Sequence, residues 1–245
     1  MSIGIAGLAG LPEIRPGDDL AALIRSAAGG IEPATILVVA QKVVSKAEGA
    51  IVDLRTIVPS ELAAAWGAQH GKDPRLIELV LRQSRRIVKM DRGVLVTETH
   101  HGLICANSGV DESNVAGGQA VTLLPVDPDR SAAALRATLR ERAGVDTAVI
   151  ISDTFGRPWR EGQVNVAIGV AGLAPLADYA EQQDGYGYTM HASLIAVADE
   201  LASAAELVMG KIDAVPVAIV RGYAYQPANG SARELLRAPE KDLFR

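Results

Sequence analysis

Val149-Ile-Ile-Ser-Asp-Thr-Phe-Gly-Arg-Pro-Trp-Arg-Glu-Gly-Gln163 is the stretch on which the fold turns. Three apolar residues, 149–151, run directly into polar and cationic groups, the pattern of a strand that delivers an active-site loop. Asp153 and Thr154 fall where that strand is expected to end. Arg157, Arg160, Glu161 and Gln163 follow on a loop stiffened by Pro158 and loosened by Gly156 and Gly162. A second segment repeats the design, with apolar residues 103–106 leading into Asn107-Ser-Gly-Val-Asp-Glu-Ser-Asn114. Oxygen donors at two strand ends, Asp111 in one and Asp153 with Thr154 in the other, suit a hard divalent cation shared with phosphate. Magnesium takes one or two protein carboxylates and leaves its other positions to water and phosphate oxygens. An Asx or Ser/Thr turn explains either segment alone; the two together favour the cation.

Outward from this stretch, residues 3–9 read as a strand and 20–28 as a helix stopped by Gly29 and Gly30. Residues 34–40 form a run, apolar but for Thr35, that fits a buried strand opening into a functional loop, Gln41-Lys-Val-Val-Ser-Lys46. Ser60 is placed to cap a helix reaching about Trp66, and Asp73-Pro74 to start another with Leu76, Leu79, Val80 and Gln83 on one face. Strands are expected over 87–90, 94–97 and 103–106, with turns at 91–93 and 100–102, and again over 120–124. Ser131 then caps a helix to Ala143, closed by Gly144, before the 149–151 strand. A strand over 164–170, a long Ala-rich helix over 190–209 and a last strand over 216–221 complete the pass. Strands outnumber helices without strict alternation. The expected class is therefore α+β, mixed sheets with packed helices, and not a phosphate-loop or Rossmann fold. The chain reads as one domain over 1–245, with weak internal boundaries near Gly71 and over 125–128.

Hydrophobic residues make up 49% of the 245 and aromatics only 4%, so the core is aliphatic. The net charge of −5 argues against a nonspecific nucleic-acid binder, and anionic ligands have to be met by local cation clusters. Cys105 sits in an apolar run, as a small buried side chain would. A lone cysteine excludes a disulfide within the chain. No signal sequence or 18-residue apolar span is visible, so a soluble cytoplasmic protein without membrane association is expected.

Neither GxxxxGK[ST] nor GxGxxG occurs, and the four histidines form no HExxH pair. His100-His101 reads as part of a solvated turn. There is no GxSxG elbow.

Five blocks together resemble the coenzyme F420-0:L-glutamate ligase family. They are Gly10-Leu-Pro-Glu-Ile-Arg-Pro-Gly-Asp-Asp19, Gln41-Lys-Val-Val-Ser-Lys-Ala-Glu-Gly49, Asn107-Ser-Gly-Val-Asp-Glu-Ser-Asn114, residues 152–169 and Val215-Pro-Val-Ala-Ile-Val-Arg-Gly222. The resemblance runs in order from about residue 8 to 222 and implies a fold without a phosphate loop. It implies GTP-driven attachment of one or more glutamates to the deazaflavin precursor F420-0 through an acyl phosphate. Magnesium or manganese would assist, two ions per site, with potassium as a further ion, and the protein would be a homodimer. Asp111 and Asp153 would bind one cation and Thr154 a second. Leu11, Pro12, Glu13, Ile14, Gln41, Lys42, Lys46 and Asn114 would lie near the nucleotide, with Met209, Gly210 and Lys211 in a further contact segment. The reductase-like C-terminal domain of some actinobacterial relatives is not expected.

Lys46 offers phosphate a point charge, and the guanidinium forks of Arg157 and Arg160 suit a carboxylate or phosphodiester. Glu161 and Glu13 are the candidates for a base. The same aspartates would also serve a metal-dependent nucleotide phosphohydrolase, and the same contacts a non-catalytic nucleotide sensor.

Overall fold

The computed structural model describes residues 2–112, 119–191 and 193–243. In chain order, β1 (Gly4–Gly7), α1 (Leu20–Ala28), β2 (Ile36–Ala40) and α2 (Gln41–Ala47) are followed by β3 (Ile51–Asp53), α3 (Glu61–His70) and α4 (Pro74–Arg82). Next come β4 (Ser84–Asp91), β5 (Val94–Thr99), β6 (Ile104–Ala106), β7 (Ala120–Thr122) and α5 (Pro128–Ala143). The hairpin of β8 (Ala148–Arg157) and β9 (Arg160–Ala171) leads through β10 (Ala177–Asp178) and β11 (Leu194–Ile195) to α6 (Val197–Met209) and β12 (Val217–Arg221).

The main sheet has the order β1-β12-β2-β8-β9, with β2 and β8 parallel and every other pair antiparallel. Its central strands are buried on both faces, which is why they read as unbroken apolar runs. Leu37, Val39, Val149 and Ile151 pack with Ile24 of α1 and Leu135 and Leu139 of α5. Ile36, Val38, Ala148 and Ile150, one residue out of phase, pack with Leu201, Ala205 and Met209 of α6. This period-two alternation places helices on both sides of the sheet. Smaller sheets, β3-β7 and β4-β5-β6, lie with α3 and α4 around their own cores, which contain Leu54, Leu79 and Val121, and Ile77, Val80 and Leu95. The fold is α+β with mixed sheets and packed helices.

Four local expectations are corrected. The polar segment after β2 is not a loop: residues 41–47 turn at once into α2, burying Gln41, Val43, Val44, Ser45 and Lys46. The segment after Ile151 is not a loop either. β8 continues to Arg157 and pairs with β9 through Asp153↔Val166, Thr154↔Asn165 and Gly156↔Gln163. The turn at its tip is made by Pro158 and Trp159, the latter with φ of 57°, and Gly162, with φ of 82°, lies just inside β9 where the register shifts. α5 begins at Pro128, capped by Asp127, whose side chain accepts from Arg130 N. Pro at the first helical position leaves no unsatisfied N–H, and Ser131 is already inside the helix, donating to Asp127 O and Glu48 Oε1. α6 starts only at Val197, because Leu194 and Ile195 pair with Ala177 and Asp178, and α5 is the longer helix.

Candidate active site

The Ala40↔Ser152 register places the ends of parallel neighbours β2 and β8 side by side. Lys42 on α2 and Asp153 with Thr154 on β8 therefore emerge at one edge of the sheet. Asp111 arrives there by another route. Asn107, Ser108 and Gly109 all have positive φ, 53°, 52° and 68°, and reverse the chain after β6. A Cβ on Gly109 would meet the Leu124 side chain at 2.7 Å, so the reversal needs glycine. Buried Ser108 anchors it through hydroxyl contacts of 2.7 Å with Ser84 and Thr97. Asp111 is then held by backbone bonds in both directions with Thr122, at 3.0 and 2.9 Å.

The result is a cleft of about 620 Å³. Leu11, Pro12, Glu13, Ile14, Gln41, Lys42, Lys46, Asp111, Asp153, Thr154, Met209, Gly210 and Lys211 all line it. Arg157 and Arg160 do not: they face each other at the tip of the hairpin, and Arg157 Nη2 donates to the Glu161 carbonyl. Glu161 is likewise outside the lining. Asn114 lies outside the described residues.

Charge in the cleft is arranged in pairs. Lys42 Nζ is 2.8 Å from Asp111 Oδ2, Lys46 Nζ is 2.5 Å from Glu13 Oε1, and Lys211 Nζ is 3.5 Å from Glu206 Oε1. Among the described residues, Asp153 is the lining carboxylate without such a partner. Desolvation pushes its carboxyl up to about 6; the charge of Asp111 adds to this, while the Thr154 N–H, Lys211 and Lys42 oppose it. Two carboxylates that destabilise each other's charge across one cleft fit a single hard cation between them. No group of three or more His, Cys, Asp or Glu gathers as a metal cluster among the described residues.

Asn165 and Glu206 escape sequence reasoning. Thr154 Oγ1 donates to Asn165 Oδ1 at 2.7 Å, and Asn165 Nδ2 donates to Glu206 Oε2 at 2.8 Å. The alternation of Gln163 and Asn165 along β9, both lining the cleft, was a usable signal; Glu206 on α6 offered none. Ser152 Oγ lines the same wall, buried and without a hydrogen-bond partner among the described residues. Cys105 is buried beside it, and desolvation with the nearby Asp153 charge pushes its thiol up to about 12. Neither His100 nor His101 reaches the cleft; their Nε2 atoms contact the carbonyls of Arg82 and Pro125. No helix among the described residues is long and apolar enough to cross a membrane.

The chain is 48% identical over its whole length to the coenzyme F420:L-glutamate ligase of Methanothermobacter thermautotrophicus, all of which is covered. It is 48% identical to that of Methanopyrus kandleri, covering 95% of this chain and 94% of the relative, and 43% identical to that of Methanocaldococcus jannaschii, covering 88% and 86%. The sequence profile of the F420-0:Gamma-glutamyl ligase family matches residues 9–222, a span that contains every lining residue of the cleft. The chain belongs to that family and is a ligase that forms carbon–nitrogen bonds.

Proposed function

We propose that this chain joins L-glutamate to F420-0, using GTP to activate the acceptor carboxylate. The observation that carries the reading is the convergence of Asp111, Asp153, three lysines and the 11–14 segment on one cleft. It occurs in a chain 48% identical throughout to a coenzyme F420:L-glutamate ligase.

A carboxylate is a poor acylating agent in water. Transfer of the γ-phosphoryl group of GTP to a carboxylate oxygen gives an acyl phosphate and GDP. The glutamate amine then attacks the acyl carbon, the carbon–nitrogen bond forms, the bond to the phosphate oxygen breaks, and phosphate leaves with loss of a proton from nitrogen. The main obstacle is bringing anions together, and preset positive charge lowers it. Lys46, almost wholly inside the protein, lines the cleft with its ammonium against the exposed Glu13 carboxylate, which phosphate can replace. Lys42 adds charge beside Asp111. Asp111 and Asp153 would hold a magnesium or manganese ion, which when bound neutralises phosphate charge. Glu13 is engaged by Lys46 and Glu161 is away from the cleft, so neither is placed as a free base.

The deciding experiment incubates the protein with F420-0, glutamate, GTP and a divalent ion and follows the product by mass. Gain of one glutamyl increment that requires all components supports the proposal. GTP hydrolysis that ignores F420-0 and glutamate indicates a phosphohydrolase, and tight nucleotide binding without turnover a sensor.

A further inference from the structure

Thr154 carries one hydroxyl proton and two lone pairs. Asn165 Nδ2 faces the Glu206 carboxylate, so Oδ1 of the same amide must face Thr154 and receive its proton. Both lone pairs of Oγ1 are left to accept, and Lys211 Nζ donates to one of them. Lys211 Nζ also lies 3.5 Å from Glu206 Oε1, which closes a ring of four side chains from β8, β9, α6 and the segment after it. The ring already contains a cation, and its single negative charge is matched by that cation. A divalent ion on Thr154 Oγ1 would share that oxygen with the Lys211 ammonium, placing two cations against one ligand atom at contact distance. The wall around Thr154 therefore does not fit a second metal ion while Lys211 is in place.

We propose that the Lys211 ammonium serves as a built-in cation at Thr154, so that each site works with one divalent ion, held by Asp111 and Asp153, instead of two. The inference rests on the ligase reading for the role of the first ion. Glu206 and Asn165 are positioning residues in it: they orient Lys211 and the Thr154 hydroxyl and do not touch the reacting atoms. The side chain of Lys211 is 59% exposed, so its replacement leaves the packed sheet undisturbed.

The test counts manganese on the full-length protein by electron paramagnetic resonance, with one equivalent of GDP per protomer. The wild type is expected to retain one Mn²⁺ per protomer with the six-line spectrum of an isolated ion. Lys211→Gln, which removes the charge and supplies an oxygen ligand, is expected to retain two, with lines broadened by spin coupling. Two ions in the wild type would overturn the inference and leave the ligase proposal intact. One ion in both proteins would overturn the role of Lys211. No bound ion in the wild type would overturn it together with the cation assigned to Asp111 and Asp153.

Discussion

Lys42 Nζ lies 2.8 Å from Asp111 Oδ2, so the carboxylate that shares the cleft with Asp153 is fixed from α2, the helix that directly follows β2. Asp111 reaches this position through its backbone bridge to Thr122 and not through its side chain. Asp111→Asn and Asp153→Asn should therefore fold normally while losing metal-supported turnover by more than the roughly 10- to 100-fold typical of removing an outer partner of a metal ligand. Turnover as a function of Mg²⁺ or Mn²⁺, beside circular dichroism, checks this. Unaltered metal dependence in both variants would disprove the shared site.

Lys46 is buried while its partner Glu13 is 74% exposed. The lysine is the fixed member of the pair and the glutamate the one that moves. Lys46→Ala is expected to raise the apparent KM for GTP at least tenfold and the KM for glutamate much less. Glu13→Gln is expected to leave GTP use intact or improve it. Equal effects of Lys46→Ala on both substrates would return this lysine to a purely structural role.

Asp153 supplies a pH signature. Its carboxyl is raised to about 6 from an ordinary 3.8, so between those values the native state binds the extra proton. Stability tied to this group is then greatest below about pH 4 and falls as pH rises through 6. In metal-free buffer, Asp153→Asn should gain in Tm over the wild type as pH goes from 4 to 7. Added Mn²⁺ should raise the Tm of the wild type at pH 7 but not that of the variant. A wild-type-minus-variant difference that is flat across this range would contradict the assignment.

Cys105 should be inert, because its thiol is pushed up to about 12 by burial and by the Asp153 charge, and the thiolate is the reactive form. Native protein at pH 8 is expected to resist a disulfide reagent for hours and to release one equivalent on unfolding. Prompt labelling of the native chain would be inconsistent with the packed wall around it.

Asp129, at the start of α5, ties down the C-terminal segment. Its Oδ1 accepts from Val170 N at 2.8 Å and Ala232 N at 2.9 Å, and its Oδ2 accepts from Ser231 Oγ at 2.5 Å. Asp129→Ala leaves these donors without their acceptor and should cost on the order of 3 kcal/mol in denaturant unfolding, with faster proteolysis near residue 231. A loss below about 0.5 kcal/mol would mean water replaces the carboxylate without penalty.

The sequence by itself determined the strands of the main sheet and the family, and it singled out Asp111 and Asp153, both of which line the cleft. Buried central strands have to be continuous apolar runs, and the polar residues at their ends mark where the sheet opens into a cleft, so both leave compositional marks along the chain. It also marked the stops of α1 and α5, where Gly29 and Gly144 adopt the left-handed conformation. Tertiary structure alone decided that residues 41–47 form a helix and that residues 152–163 pair with β9. The antiparallel hairpin with β9 outweighs the local loop-like composition, because it satisfies the backbone groups of this stretch. The hairpin register set Asn165 opposite Thr154 and carried Arg157 and Arg160 out to its tip, and the packing of α6 brought Glu206 to Asn165. These placements depend on which strands become neighbours, a property that no window of sequence contains.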